Sequence, residues 1–311
     1  MVIGCGNIGA GYDFDSEAVF THAKALHQNP AFEPTFCDLD VQLAEKVAKK
    51  YSASWLPDIN SIDFKEFDCI SICTPTVTHH DFLMKAFEAG VPLVICEKPV
   101  ASAISELDQL KELFTNSQTS VLVNYMRRFL PCFEQLKEKI DVISGQEKLT
   151  NVLVQYQRGI VNNAGHALDL ISYLFDKTMQ LENVLTNKPT HDAFQNDPTL
   201  SLFANWNNAN LAVIGLSDVK FSFFEIDLIF EYHRISIIEA GKTIKVQKAP
   251  KAVGYFRPLE SLAAEEQTNC LDDYMIPVIN KAERILSGVD TQDNFLEALE
   301  MNKEILKHIN I

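Results

Sequence analysis

The chain has 311 residues, enough for two ordinary domains with substantial cores. Hydrophobic residues make up 47% and charged residues 22%, the balance of a folded globular protein rather than a disordered one. A net charge of −15 offers nothing to neutralise a phosphate backbone and excludes nucleic acid as a partner.

Short apolar runs alternate with amphipathic stretches over the first part of the chain. Val2 and Ile3 lead into a glycine-rich turn. Only three residues precede Gly4, whereas strands usually run about five or six. The first strand is therefore expected either to be short or to begin upstream of Met1. Residues 17–28 carry Val19, Ala23 and Leu26 at helical spacing, 34–37 read as a strand, and 41–51 as a helix with Leu43, Val47 and Ala48 inward. Strands follow at 69–73, 93–96 and 120–124, with helices at 81–89, closed by Gly90, and 104–114. Apolar strands without alternation, separated by helices, imply a parallel sheet covered on both faces.

The pattern changes near Tyr125. From 149 to 246 the chain reads mostly as strand, interrupted by one strong helix at 165–176. Ser222, Phe224, Ile226, Leu228, Phe230 and Tyr232 share one face of a period-2 run, while Phe223, Glu225, Asp227 and Glu231 occupy the other, so this sheet is expected to be covered on one side only. Helices at 272–287 and 292–309 close the chain. The expected fold is α/β: a Rossmann doubly wound parallel sheet over 1–124, then an α+β domain over 125–311 with a large, open, mostly antiparallel sheet, the C-terminal helices packing back on the first domain. An open sheet seeks a second subunit, so a homodimer or homotetramer is expected.

No stretch approaches the roughly 20 apolar residues of a membrane span. Met1 to Gly11 lacks the charged start and cleavage site of a signal peptide. The seven cysteines are scattered without a C-x-x-C pair, and Cys69 and Cys73 would lie about 13 Å apart along a strand, too far to share a metal. Adjacent His79 and His80 at a helix start point in different directions and are not read as a metal site either. Reduced thiols, no metal and a cytoplasmic location are the expectation.

Gly4-Cys5-Gly6-Asn7-Ile8-Gly9 is a G-x-G-x-x-G turn, which lets a backbone approach a dinucleotide pyrophosphate. Asp38 follows the next strand, 29 positions after Gly9 against about 20 in the usual spacing, and the polar insertion Gly11-Tyr12-Asp13-Phe14-Asp15-Ser16 accounts for the excess. A carboxylate at that strand end accepts hydrogen bonds from the adenosine ribose and repels a 2′-phosphate, favouring NAD over NADP. Asp40 competes for the role, and a solvated strand-end aspartate is the plain alternative.

Further along stand Ser71-Ile72-Cys73-Thr74-Pro75-Thr76-Val77-Thr78-His79, Ala89-Gly90, and Val94 through Glu97-Lys98-Pro99. Asn124-Tyr125-Met126-Arg127-Arg128-Phe129 and Gly165-His166-Ala167-Leu168-Asp169-Leu170 come next. In this order the motifs resemble the glucose–fructose oxidoreductase, inositol dehydrogenase and rhizopine-catabolism (Gfo/Idh/MocA) family, over nearly the whole chain. The resemblance implies a Rossmann domain, an open-sheet substrate domain, and NAD(P)-dependent oxidation or reduction of sugars and polyols. It implies Lys98 as catalytic lysine, His166 as catalytic histidine, a cis bond before Pro99, and Thr74, Pro75, His79, Glu97 and Lys98 beside the cofactor with Gly4, Gly6, Asn7, Ile8, Gly9 and Asp38.

The chemistry is coherent. Oxidising a carbinol requires removal of its hydroxyl proton, and an imidazole titrates in the useful range. A nearby ammonium stabilises developing alkoxide charge. Asp169, one helical turn after His166, either contacts substrate, orients the imidazole, or is a surface carboxylate. Family members often carry an aspartate four residues before the histidine; here that residue is Asn162, which can orient a hydroxyl but not share its proton. Arg127, Arg128, Arg158, Asn163 and Tyr255 are candidates for lining the substrate face, with structural salt bridging the alternative for the Arg127–Arg128 pair.

An NAD-dependent sugar dehydrogenase is the expected function. The loops Gly11-Tyr12-Asp13, Thr21-His22-Ala23, Arg158-Gly159 and Asn162-Asn163 resemble members acting on nucleotide sugars in surface-polysaccharide pathways. The alternatives are an inositol-type polyol dehydrogenase and a non-catalytic NAD-binding regulator of the same fold.

Overall fold

A computed structural model describes residues 1–250 and 257–309. The chain divides into two compact bodies, Met1–Phe129 with Asp272–Leu299, and Leu130–Leu271 with Glu300–Ile311. The first therefore runs past residue 124 and takes back part of the C-terminus.

The first body holds six parallel strands, β1 (Val2–Ile3), β2 (Thr35–Cys37), β3 (Ser54–Leu56), β4 (Cys69–Ile72), β5 (Leu93–Cys96) and β6 (Ser120–Val123), in the order β3-β2-β1-β4-β5-β6. The reversal beside β1 is the doubly wound topology, whose switch point is where such sheets bind ligands. β1 is short but central. Val2 pairs with Phe36 and Ser71, and the ladder runs on through Ser71 N–H to Met1 O and Cys73 N–H to Ile3 O, each 2.8 Å. Val2, Ile3, Phe36, Ile70, Ile72 and all of β5 are sealed from solvent, as a sheet covered on both faces requires.

Four helices connect these strands: α1 (His22–Gln28), α2 (Val41–Tyr51), α3 (His79–Ala89) and α4 (Ile104–Thr115). α1 begins five residues later than periodicity predicts. The buried Asp13 carboxylate accepts from Phe20 N–H (2.6 Å), Thr21 N–H (2.9 Å) and Thr21 Oγ1 (2.7 Å), which holds 17–20 out of the helix, and Thr21 then caps it at Lys24 N–H. Val19 is buried nonetheless. β3 has no counterpart among the expected strands; with only Ser54, Trp55 and Leu56 it is an edge strand too short for a periodic signal.

The second body starts with α5 (Pro131–Ser144), the longest helix described, in a stretch to which the sequence reading assigns no element. Its signal is present: Pro131 at the first turn and Phe133, Leu136, Ile140 and Ile143 buried at helical spacing. β7 (Leu149–Tyr156), α6 (Gly165–Phe175), β8 (Glu182–Thr186), β9 (Leu202–Trp206), β10 (Ala209–Gly215), β11 (Phe224–Phe230), β12 (His233–Ile238), β13 (Thr243–Lys248) and β14 (Glu260–Ser261) follow. They build an eight-stranded sheet in the order β14-β13-β12-β11-β7-β10-β9-β8, antiparallel except for β7 with β10. Phe224, Ile226, Leu228 and Phe230 alternate inward along β11, while Ser222 and Tyr232 fall outside the strand. Phe175 of α6 meets Trp206 and Phe230 at 5.6 and 6.2 Å between ring centres, covering that face. The opposite face carries exposed Leu185 and Phe203 and a chain of amides across four strands, Asn183 to Asn205 (3.0 Å), Asn205 to Asn210 (3.4 Å) and Asn210 to Asn151 (3.2 Å).

α7 (Met275–Leu286) belongs to the first body, pinned by Asp273 accepting from Val19 N–H at 2.8 Å and Met275 N–H donating to Val19 O at 3.3 Å. The division between the bodies falls within the last helix, α8 (Phe295–Lys307). No helix among the described residues is long and apolar enough to cross a membrane.

Candidate functional site

The three glycines of the turn after β1 do different work. Gly4 has φ 95°, and a Cβ there would sit 2.8 Å from the Cys73 carbonyl carbon and oxygen. A Cβ on Gly9 would come within 2.1 Å of Gly4 O. Both are needed for close backbone packing. Gly6 is the exception: a Cβ there meets nothing within 4 Å, because that space is cavity. Asn7–Gly11 then form one wide helical turn, with Ala10 and Gly11 N–H both donating to Gly6 O at 2.9 and 3.0 Å. The leading N–H groups of such a turn have no internal acceptor, which suits an anion.

Asp38 lies just past the end of β2, its carboxylate locked by two backbone donors, Cys5 N–H to Oδ2 (2.6 Å) and Asp40 N–H to Oδ1 (2.8 Å). Asp40 does not compete with it. Its own Oδ1 caps α2 at Gln42 and Leu43 N–H.

A cavity of about 570 Å³ opens over these residues at the carboxyl ends of the strands. Of the residues expected at a cofactor, Gly4, Gly6, Asn7, Ile8, Asp38, Thr74 and Pro75 line it, joined by Tyr12, Leu39, Ile59, Asn60, Cys73, Thr78, Asp81, Phe82 and Lys85. Space beside Gly6 for a pyrophosphate, donors at the turn and an oriented carboxylate at the far strand end are the features a dinucleotide requires, so the residues present fit that group.

Gly9, His79, Glu97 and Lys98 are not among the lining residues. His79 is fully buried with Nδ1 2.8 Å from Pro99 O and Nε2 2.8 Å from Thr74 O, tying the loop after β4 to the one after β5. Burial lowers its pKa against the opposing pull of these two carbonyls, and a neutral imidazole donates to only one of them at a time. Glu97 is buried just past the carboxyl end of β5. Its Oε1 accepts from Asn124 Nδ2 (2.6 Å) and lies 3.0 Å from His22 Nε2, while His22 Nδ1 is 2.5 Å from Ser71 Oγ. Burial would neutralise both partners, yet Cys73 and Glu97 raise the His22 pKa, and His22 and Asn124 hold the Glu97 carboxyl below the usual range. The two side chains form one buried, hydrogen-bonded pair.

Lys98 follows, half-buried, and its bond to Pro99 is cis. Arg127 and Arg128 are both buried, and Arg128 Nη1 is paired with Glu297 Oε2 at 2.9 Å, the structural alternative for that residue.

In the second body, His166 is half-buried in the first turn of α6. Asp169, only 2% exposed, is not a surface carboxylate. The loop before α6 is built on Asp197, which periodicity gave no reason to notice. Its two oxygens accept from Val161 N–H (2.9 Å) and Asn162 N–H (2.8 Å), and a Cβ on Gly159, at φ 85°, would strike that carboxylate. Asn163 Nδ2 donates to Gln157 O at 2.7 Å, so this amide holds the loop together. Arg158 is exposed, with its guanidinium 5.8 Å from the Phe194 ring centre. Tyr255 lies outside the described residues.

Residues 1–125 match the family model described as an oxidoreductase family with an NAD-binding Rossmann fold. The chain is 30% identical to inositol 2-dehydrogenase of Rhizobium meliloti over 125 residues, 39% of this chain and 36% of that protein. It is 24% identical to inositol 2-dehydrogenase 3 of Saccharopolyspora erythraea over 226 residues, 68% of this chain and 64% of that one. The matched stretches thus span from about a third to under two thirds of these relatives. Among solved structures, UDP-N-acetylglucosamine 3-dehydrogenase GnnA from Acidithiobacillus ferrooxidans superposes with a TM-score of 0.72 at 18% identity, covering 98% of this chain and 94% of that one. A levoglucosan dehydrogenase in complex with NADH and levoglucosan reaches 0.77 at 16% identity, covering 98% and 95%. At these identities the structural likeness establishes the fold.

Proposed function

Because the chain belongs, through residues 1–125, to the Gfo/Idh/MocA family of NAD-binding oxidoreductases, we propose that it is an NAD-dependent dehydrogenase acting on a CH–OH group of a sugar or cyclic polyol. The observation that carries the reading is the cavity over Gly6 with the Asp38 carboxylate fixed at its edge. That carboxylate accepts ribose hydroxyls and repels a 2′-phosphate, which favours NAD over NADP.

The bound nicotinamide supplies the two-electron acceptor; the chain supplies the proton chemistry. Lys98 stabilises negative charge on the substrate oxygen as its proton leaves, and His166 takes that proton. Asn162 and Asp169 flank His166 in sequence and orient substrate and imidazole. A nucleotide sugar is the first candidate substrate, with exposed Arg158 a cation for its diphosphate. An inositol is the second, supported by the inositol dehydrogenases that match part of the chain. A second copy of the chain is the proposed cover for the face bearing Leu185, Phe203 and the asparagine chain. Sedimentation should then show more than a 35.0 kDa species.

The test is a fluorescence titration with NADH and NADPH, then a panel of nucleotide sugars and polyols followed by nicotinamide absorbance. NADH preference with turnover that Lys98→Ala abolishes, NADH binding being retained, is the expected result. Tight NADH binding without turnover anywhere in the panel would favour a non-catalytic regulator, and absence of nicotinamide binding would end the proposal.

A further inference from the structure

Tyr12 lines the cavity yet is 62% exposed, so its ring offers surface that a ligand can cover. The backbone on either side of it is fixed. Its own N–H donates to Asn7 O at 2.8 Å and closes the wide turn over Asn7–Gly11. The next residue, Asp13, is fully buried and holds Phe20 and Thr21 N–H. Phe14 follows, with the Lys46 and Lys50 ammonium groups 4.8 and 4.2 Å from its ring centre and Lys50 also donating to Phe14 O. Between these anchors the Tyr12 side chain stands open at the cavity.

The charges around the cavity narrow what that side chain can meet. The charged lining residues are Asp38, Asp81 and Lys85, an excess of negative charge in a chain of net charge −15. The lysines that reach the insertion serve the insertion itself. Lys24 donates to Asp13 O at 3.3 Å, Lys46 and Lys50 face Phe14, and none of the three lines the cavity. An anionic diphosphate bound here must therefore be met largely by neutral donors, and a hydrogen bond to an ionised acceptor is the stronger kind. A phenol hydroxyl is such a donor. Tyr12 directly follows the turn beside which the pyrophosphate finds its space.

We propose that Tyr12 is a cofactor-binding residue: its phenol donates to the diphosphate of the dinucleotide, which covers the ring as it binds. This rests on the dinucleotide reading of the cavity and on nothing in the second body.

The experiment is calorimetric titration of wild type, Tyr12→Phe and Tyr12→Ala with NADH and with ADP-ribose, adenosine being measured by competition. Tyr12→Phe removes one oxygen from an exposed side chain, so its melting temperature should match that of wild type. Loss of a donor to a charged acceptor should weaken NADH and ADP-ribose alike by about tenfold. Adenosine carries no phosphate and should bind all three proteins within about twofold of one another. Tyr12→Ala should bind the two diphosphates no better than Tyr12→Phe.

A Tyr12→Phe protein that binds ADP-ribose like wild type overturns the proposal, whatever Tyr12→Ala does, because the hydroxyl would then carry nothing. A loss for NADH without one for ADP-ribose would move the contact to the nicotinamide half. An equal loss for adenosine would move it to the adenosine, and either result overturns the diphosphate assignment. Wild type that binds neither NADH nor ADP-ribose would end the dinucleotide reading itself. That failure is distinct from normal binding by wild type and Tyr12→Phe alike, which ends this inference alone.

Discussion

Two substitutions in one loop separate what the glycine turn does for folding from what it does for binding. Gly9→Ala places a methyl 2.1 Å from Gly4 O and 3.0 Å from Gly4 C, both backbone atoms that cannot rotate aside. The turn must shift, and overpacking of this kind costs about 1–3 kcal/mol. For a body of this size that is about 2–4 °C in Tm per kcal/mol. Gly6→Ala adds the same methyl where nothing stands within 4 Å, at φ −69°, which alanine adopts freely. Stability should be unchanged or higher by about 0.4–1 kcal/mol, through the unfolded chain. The methyl nevertheless fills the space beside the leading N–H groups of the 7–11 turn. NADH affinity should fall at least about tenfold, or about 1.4 kcal/mol. Urea melts and NADH fluorescence titrations on both variants check this. A Gly6→Ala protein that binds NADH like wild type, or melts as early as Gly9→Ala, would refute the division of labour.

Asp38→Ala should weaken NADH binding more than NADPH binding in the same titration; equal losses would remove the ribose contact and leave Asp38 as the acceptor for Cys5 and Asp40 N–H alone. Asp13→Ala strips a buried acceptor from three donors, and urea unfolding should show a loss of about 3 kcal/mol or more, against a smaller loss for Asp13→Asn. Asp197→Ala frees Val161 and Asn162 N–H, and should reduce turnover with NADH affinity preserved. The Asp290 carboxyl is pulled down to about 2, chiefly by Lys281 at 2.7 Å. A depressed pKa stabilises the fold above the ordinary value of 3.8, and the contribution is lost as pH falls through about 2. Acid melts of Lys281→Met should accordingly lack that part of the pH dependence.

The Rossmann body was legible because its strands, such as Leu93–Cys96, are apolar at every position and its helices end on clear stops, such as Gly90 at φ 69°. Apolar periodicity carries that information directly. It misled at 17–20, where Val19 continues a helical stripe that the chain does not use. What decides that segment is the Asp13 carboxylate, whose acceptance of Phe20 and Thr21 N–H depends on a loop closing back in space. α5 was legible in Pro131 and the helical spacing of Phe133, Leu136, Ile140 and Ile143, although no element was assigned there. The short β3, at the sheet edge, carries too few residues to show any period.

At the site, motif spacing brought Gly6, Asp38 and Thr74 to notice, and they line one cavity. Composition could not separate Asp38 from Asp40, two residues apart. Only the donors each one faces distinguish the cavity edge from a helix cap. The same limit hid three other residues. Asp13, Asp197 and His22 each sit in polar stretches that read as solvated loop or helix start, yet each organises backbone or side chains from elsewhere in its own body. A buried carboxylate is costly unless several donors converge on it, and those donors come from segments distant in sequence. Such residues are invisible to periodicity for the same reason that they are structurally decisive: the interactions that make their burial affordable exist only once the chain has folded.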